Sequence, residues 1–287
     1  MTDQVAQVAV ITGGNAGIGK ETAVALARAG WQVLVTARDP GRGAAALDEI
    51  RSRSASTRVD VVPLDLADLA SVRAFPDLLA ARTDRLDVLV NNAGLVLQDR
   101  RVTVDGFEQT FAVNHLGHFL LTDLLLDRLR GNPNGARVVV LSSDAHKMAR
   151  RGLDFDDLQT EHHRYRGFAV YSRTKLANIL FTRELARRLE GSDITVNAVH
   201  PGYVDSRFGR DGDTRRWFEV AARIGSFMAV TPEVGAQTSV YLASSPDVAG
   251  ITGEYFSKSR LSKVSSAAQD DLAATRLWSA SEILVGI

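Results

Sequence analysis

Across 287 residues, 34 Lys and Arg balance 34 Asp and Glu, so no bulk charge draws the chain to nucleic acid or to an anionic membrane. A composition 45% hydrophobic and 24% charged is that of a globular chain with a sizeable core, and the length fits one large α/β domain. The absence of cysteine excludes disulfides, thiolate metal sites and a cysteine nucleophile.

A first buried strand is expected at Val8–Ile11, close enough to Met1 to leave no room for a signal peptide. No later apolar run approaches the ~20 residues that span a bilayer, so a cytoplasmic protein without a membrane span is the expectation. Thr12, Gly13, Gly14, Asn15, Ala16, Gly17, Ile18 and Gly19 follow, and an alanine-rich helix runs over 18–29 to Gly30. A glycine-rich turn between strand and helix lets the backbone approach a pyrophosphate, whose charge meets free amides and the positive helix end.

A second strand over 33–35 leads to Arg38, Asp39 and Pro40, with Asp39 read as a turn residue. A helix over 44–53 precedes a third strand over 59–64 that ends at Asp65 and Leu66, and Asp68 is well placed to cap the next helix. The strand over 88–90 runs into Asn91, Asn92, Ala93 and Gly94. Small residues there let the chain pass close to a ligand, and the amides can tie strand ends together. A long helix over 107–129 carries Phe111, Leu116, Phe119, Leu120 and Leu124 at helical spacing, with Asn114 inside the apolar pattern, where an amide needs partners. His115 and His118 read as helix-surface or interface residues, since no carboxylate pattern beside them supports zinc.

The strand over 138–141 ends in Ser142 and Ser143, which by themselves could cap or turn the chain. Residues 144–168 form an excursion in which Lys147, Arg150 and Arg151 are basic and Asp154, Asp156 and Asp157 acidic, as in a solvated loop. It either lines the entrance to a site or is a plain surface loop, and His162 and His163 within it show no nucleophile or metal pattern. Tyr171 and Lys175, four apart on a helix over 171–189, project from one face. A neighbouring cation favours phenolate, which would bring the tyrosine down from about 10 toward neutrality, as suits a general acid or base. After a strand over 194–199 come Pro201, Gly202, Tyr203, Val204, Asp205 and Ser206. Residues 207–230, with Phe208, Trp217, Phe218, Ile224, Phe227 and Met228, read either as a lid over an apolar substrate or as amphipathic helices packed on the core. A helix over 234–243, a short strand over 253–256 and a helical tail over 267–284, with a covering or an oligomeric role, complete the chain.

The order Thr-Gly-x-x-x-Gly-Ile-Gly over residues 12–19, together with Tyr171 and Lys175, resembles the short-chain dehydrogenase/reductase family over nearly the whole chain. Residues 12–23 and the Ser-Ser-x-Ala-His segment at 142–146 are most similar to its retinol dehydrogenase-like branch. The resemblance implies a nicotinamide dinucleotide held by Gly13, Asn15, Gly17, Ile18, Gly19, Asn92 and Gly94. It implies that Asp65 accepts from the adenine amino group beside the Leu66 backbone, and that the Val204 backbone and the Ser206 hydroxyl bind the carboxamide. Ser206 stands where threonine is common. In the catalytic set so implied, Ser143 donates to the substrate oxygen and Tyr171 supplies the proton. Lys175 tunes Tyr171 and binds the nicotinamide ribose, and Asn114 locally disturbs its helix and holds a water linking Lys175 to solvent.

No metal is expected. Where NAD-preferring relatives carry an acid, nineteen residues after Gly19, this chain has Arg38. A guanidinium there can pair with a 2′-phosphate, so NADP(H) is expected, with NAD(H) left open. Many animal enzymes of the branch are membrane-anchored, and the expectation of no anchor here sets this chain apart from them.

The fold expected is α/β: a single doubly wound Rossmann-type domain over residues 1–287, with a mainly parallel seven-stranded sheet of order 3-2-1-4-5-6-7 flanked by helices. The function expected is an NADP(H)-dependent oxidoreductase interconverting an alcohol and a carbonyl, on a lipophilic aldehyde or ketone. The same site could serve a carbon-carbon double bond. An NADPH-binding regulatory protein without catalysis is the alternative, and the presence of Ser143 and Tyr171 argues against it. Homo-oligomers built on the long central helices are common in the family.

Overall fold

The computed structural model describes residues 6–203 and 230–287; Val204, Ser206 and residues 207–229 of the expected lid lie outside the described residues. Runs that are apolar on both faces make the central strands. β1 (Val8–Ile11), β2 (Gln32–Ala37), β3 (Val59–Pro63), β4 (Val88–Asn91), β5 (Ala136–Leu141) and β6 (Ile194–His200) precede β7 (Tyr255–Ser257) and β8 (Arg260–Leu261). They join in one sheet of order β3-β2-β1-β4-β5-β6-β7-β8. All pairings through β7 are parallel, and β1, β2, β4 and β6 are buried almost throughout, as strands covered on both faces must be. Among the described residues the expected count of seven is corrected to eight. The extra strand is two exposed residues folded back antiparallel onto β7 through Lys258 and Ser259, both at positive φ. A pair that short and exposed carries no strand periodicity.

One face is covered by α1 (Gly17–Arg28) and α2 (Pro40–Ser54). The other is covered by α3 (Leu69–Ala80), then by α4 (Gln109–Phe111) and α5 (Gly117–Arg130), and by the long helix α6 (Gly167–Arg188). α7 (Pro232–Ser244) returns to the first face, and α8 (Asp271–Val285) lies on α6. Phe75, Phe119, Leu120, Leu176 and Leu180 fill the core on the α6 side, and Ile11, Val24, Val33, Val35 and Leu242 fill the other. This is the three-layer architecture expected.

Helix limits differ from the sequence expectation where side chains cap. α2 starts four residues early because the Asp39 carboxylate accepts the Arg42 N–H at 2.7 Å and Pro40 occupies the first turn. The expected helix over 107–129 starts only at Gln109. The buried Glu108 stays outside it and accepts from the Thr110 and Phe111 N–H groups at 2.8 and 2.7 Å. Between α4 and α5 the helix opens into a π segment, Ala112–Leu116, centred on Asn114. The tail breaks at Asp270, which caps α8 through the Ala273 N–H. It covers the core: Trp278 packs 4.9 Å from Phe119 and 5.9 Å from Phe181, ring centroid to centroid.

Candidate active site

Parallel strands carry their downstream residues to one end of the sheet. Across it run Asp65 after β3, Arg38 after β2, the glycine turn after β1, Asn92 and Gly94 after β4, and Ser143 after β5. The strand order reverses between β1 and β4, where an open α/β sheet forms its crevice. Gly13 and Gly17 take φ of 62° and 52°, conformations a side chain would resist. A Cβ on Gly19 would collide with the Asn92 amide and lie 2.8 Å from the Gly13 carbonyl oxygen. α1 has no acid in its first turn and no side-chain cap, whereas Asp39 and Asp68 cap α2 and α3. A close-packed turn feeding an uncapped helix fits a dinucleotide pyrophosphate.

Asn92 donates from Nδ2 to the Thr12 carbonyl at 2.7 Å and thereby ties β4 to β1. Arg38 is exposed. Because Ala37 pairs with Pro63, Arg38 and Asp65 leave neighbouring strands side by side. Asp65 Oδ1 accepts the Ala67 N–H at 2.9 Å, and Leu66 is buried. Asn15 and Ile18 are half-buried in the glycine turn.

At the end of β5 the two serines divide their work. Ser142 Oγ donates to the Lys175 carbonyl at 2.7 Å and fastens the strand to α6. Ser143 Oγ accepts the Ala145 N–H at 3.1 Å and is hydrogen-bonded to Tyr171. Lys175, 2% exposed, donates from Nζ to the Leu141 carbonyl at 3.0 Å and lies 5.4 Å from the centroid of the Tyr171 ring. The Gly94 backbone passes between Asn114 and Lys175: a Cβ there would sit 3.2 Å from Asn114 Oδ1 and 3.6 Å from Lys175 Nζ. Asn114 itself accepts the Leu95 N–H at 2.8 Å and donates to the Leu95 carbonyl at 2.9 Å and to Thr174 Oγ1 at 3.0 Å. Both ends of its amide are thus engaged with protein, and the expected disturbance of the helix is the π segment.

The electrostatics correct one expectation. Burial pushes the Tyr171 phenol up to about 12, opposed by the Ser143 hydrogen bond. Burial lowers the Lys175 ammonium to about 8. The ammonium lies over the ring, and in this state desolvation outweighs the lowering anticipated from a neighbouring cation. A buried lysine held at about 8 and released on unfolding to about 10.5 is protonated more in the unfolded chain between those values, so stability must rise with pH there. In dinucleotide-free protein, urea unfolding at pH 7 and again above pH 10.5 should show wild type gaining about 3 kcal/mol relative to Lys175→Met. A constant difference between the two proteins would refute that burial cost.

His115 and His118 are buried, not on the surface. Burial pushes both down to about 3, so both rings are neutral. His115 Nε2 lies 2.8 Å from Ser281 Oγ on α8. His118 Nε2 lies 2.8 Å from Thr12 Oγ1, and its Nδ1 lies 3.3 Å from the Asn114 carbonyl. Thr12 Oγ1 also accepts the Asn92 and Ala93 N–H groups at 2.8 and 2.9 Å, so one hydroxyl joins the glycine turn, the segment after β4 and the first turn of α5. The signal for this was spacing: residues 111, 115, 118 and 122 share a helical face with buried Phe111.

The 144–168 excursion is no plain solvated loop either. Asp157 is buried and accepts from the Glu161, His162 and His163 N–H groups and from His163 Nδ1. Tyr165 donates to Glu108 at 2.9 Å, which pins the excursion to the start of α4. Phe168, overlooked in the sequence, is exposed with its ring centroid 6.0 Å from that of Tyr171. Among the described residues there is no cluster able to hold a metal ion, and no helix is long and apolar enough to cross a membrane.

The family description "short chain dehydrogenase" matches residues 7–154, and "Enoyl-(Acyl carrier protein) reductase" matches residues 157–258. Human retinol dehydrogenase 12 is 45% identical over 281 residues, covering 98% of this chain and 87% of its own. Human retinol dehydrogenase 11 is 43% identical, with 98% and 86% covered. A crystal structure from Mycobacterium paratuberculosis is 36% identical with a TM-score of 0.78, covering 98% of this chain and 93% of that one. The Pseudomonas aeruginosa RhlG/NADP active-site complex is 28% identical with a TM-score of 0.68, covering 88% and 95%.

Proposed function

Because this chain belongs to the short-chain dehydrogenase/reductase family, we propose that it interconverts a lipophilic aldehyde or ketone and its alcohol with NADP(H). The observation that carries the reading is the meeting of Ser143, Tyr171 and Lys175 at the end of β5, beside a glycine turn built for a pyrophosphate. When bound, the nicotinamide exchanges a hydride with the substrate carbon. Gly13, Asn15, Gly17, Ile18 and Gly19 would hold the dinucleotide's pyrophosphate, with Asp65 and Leu66 at the adenine and Asn92, Gly94, Tyr171 and Lys175 nearer the nicotinamide ribose.

Ser143 is oriented for its task. Its oxygen already accepts the Ala145 N–H, so its own proton is directed outward, to the Tyr171 phenol here and to a substrate oxygen in the complex. Tyr171, protonated at neutral pH, gives its proton to the oxygen as negative charge develops there. The Lys175 ammonium stabilises the phenolate left behind. We assign Asn114 to holding the Leu95 backbone and Thr174 beside Lys175, rather than to a relay through its amide.

Arg38 supports the NADP(H) preference, since the carboxylate next to it on Asp39 is engaged at the start of α2 and does not compete for a ribose. Charge-assisted hydrogen bonds of this kind contribute about 1.5–3 kcal/mol, so Arg38→Ala should weaken NADPH binding roughly 10- to 100-fold and leave NADH nearly unchanged. Titration of both dinucleotides by calorimetry checks it, and equal losses would remove Arg38 from the 2′-phosphate. Exposed Met148, Phe168 and Tyr203 stand on segments that leave the same strand ends, and they support an apolar substrate. The retinol dehydrogenases among the relatives make retinoid-like carbonyls the first candidates.

The test is NADPH oxidation over a panel of retinal, long-chain aldehydes, small polar ketones and unsaturated carbonyls. Turnover that rises with apolar size, and that is faster with NADPH than NADH, is the expected result. Reduction confined to carbon-carbon double bonds, or binding of NADPH without turnover anywhere in the panel, would overturn the reading.

A further inference from the structure

His146 is fully buried in the 3-10 turn Asp144–Met148 that follows Ser143. Its Nδ1 lies 2.7 Å from the Ser143 carbonyl oxygen, and its Nε2 lies 3.2 Å from the Ser265 main-chain nitrogen. A main-chain N–H can only donate, so Nε2 is the accepting nitrogen and the ring proton resides on Nδ1, which donates to the Ser143 carbonyl. Two backbone groups, one on each side of the ring, therefore select a single neutral tautomer. The edge of Tyr255 packs on the same ring at 5.2 Å between centroids. Burial holds the ring neutral below the usual histidine range, although the neighbouring Asp144 carboxylate favours its charge and Lys147 opposes it.

The Ser143 carbonyl accepts the His146 main-chain N–H as well, at 3.0 Å, so it is gripped twice by one residue. Ser143 itself is extended, with φ −165° and ψ 153°, and in that conformation its Oγ reaches the Ala145 N–H. Carbonyl direction and hydroxyl direction are coupled through ψ. If the carbonyl swings, the hydroxyl leaves Ala145 and no longer points at Tyr171.

We infer that His146 is a positioning residue for Ser143: its Nδ1–H holds the carbonyl that fixes the hydroxyl, while its Nε2 fastens the turn to the segment at Ser265. The inference rests on the assignment of Ser143 to the substrate oxygen. A histidine that merely filled space would be replaced equally well by either side-chain amide, and that supplies the test.

Asparagine places an N–H donor near the position of Nδ1, and glutamine places an acceptor near that of Nε2. In full-length protein with NADPH and the best carbonyl substrate, His146→Asn should keep kcat within about threefold. His146→Gln should lose about 10- to 100-fold in kcat, the scale of a small displacement of a reacting group, with KM and NADPH binding unchanged. Equal kcat in the two variants, or the larger loss in His146→Asn, overturns the inference. Nitrogen NMR of histidine-labelled wild type provides a readout independent of turnover: a ring protonated at Nδ1 is expected, and protonation at Nε2 refutes the proposal whatever the kinetics. Ser143→Ala is measured alongside. If that variant retains turnover the site assignment fails by itself, whereas full loss in Ser143→Ala with no Asn/Gln difference rejects His146 alone.

Discussion

Tyr171→Phe should lower kcat for carbonyl reduction by about 10³-fold, within the 10²–10⁴ range of general acid catalysis, while NADPH binding stays within a small factor of wild type. The substitution removes one oxygen and leaves the ring against Phe168 and the Lys175 ammonium over its face. A change confined to kcat therefore reports proton transfer rather than packing. The sign with pH follows from the phenol, which is held up at about 12 and is protonated throughout the neutral range. Reduction needs the phenol proton and the Lys175 ammonium, so it should be flat up to about pH 7 and fall as pH rises through about 8. Oxidation needs the phenol proton absent and should accelerate as pH rises. Stopped-flow measurement in both directions checks the pair of slopes, and turnover retained in Tyr171→Phe would remove the residue from the acid's role.

Gly167→Ala should be the most damaging single methyl group that can be added to α6. A Cβ at this first residue of the helix would fall well inside the Leu97 carbonyl oxygen, 2.9 Å from its carbon and 3.2 Å from the Gln98 Cα. All three obstacles are backbone, so no rotamer change relieves the collision. Either α6 or the segment after β4 must shift, at a cost of about 3 kcal/mol, the upper end of overpacking, and more if neither yields. α6 carries both Tyr171 and Lys175, so kcat should fall along with the melting temperature. Gly41→Ala is the control, since its Cβ meets nothing nearer than Asp39 Oδ1 at 3.4 Å and it lies in α2. There an alanine should be neutral or stabilise by about 0.5–1 kcal/mol. Equal melting points for the two variants would show that the close approach of α6 does not matter.

The sequence made the sheet readable because parallel strands buried on both faces leave unbroken apolar runs, as at Val8–Ile11 and at residues 138–141. The candidate site was readable for a different reason. Positive φ at Gly13 and close approach at Gly19 restrict residue type severely, and acid–base work restricts it at Tyr171 and Lys175. What stayed hidden depends on surroundings rather than type. His118 and Asp157 are polar letters in a helix and in a charged excursion, and only their partners, Thr12 in one case and three main-chain N–H groups in the other, reveal that they are interior. The direction of the Tyr171 shift is hidden in the sequence because spacing announces the neighbouring cation but not the depth of burial. β8 escaped because two exposed residues have no period.

The π segment Ala112–Leu116 gives one turn of helix an additional residue, so the stretches before and after it run in two different registers. Loss of one codon here would let a continuous α-helix close. The stretches on either side would keep roughly their present facing, because the wide turn is what absorbs the extra residue, but the turn itself would be lost. Asn114, at the centre of that turn, would swing off Leu95 and Thr174, releasing the backbone beside Lys175. In the gene, this short stretch is therefore far more open to exchange of one residue for another than to the insertion or deletion of a single one.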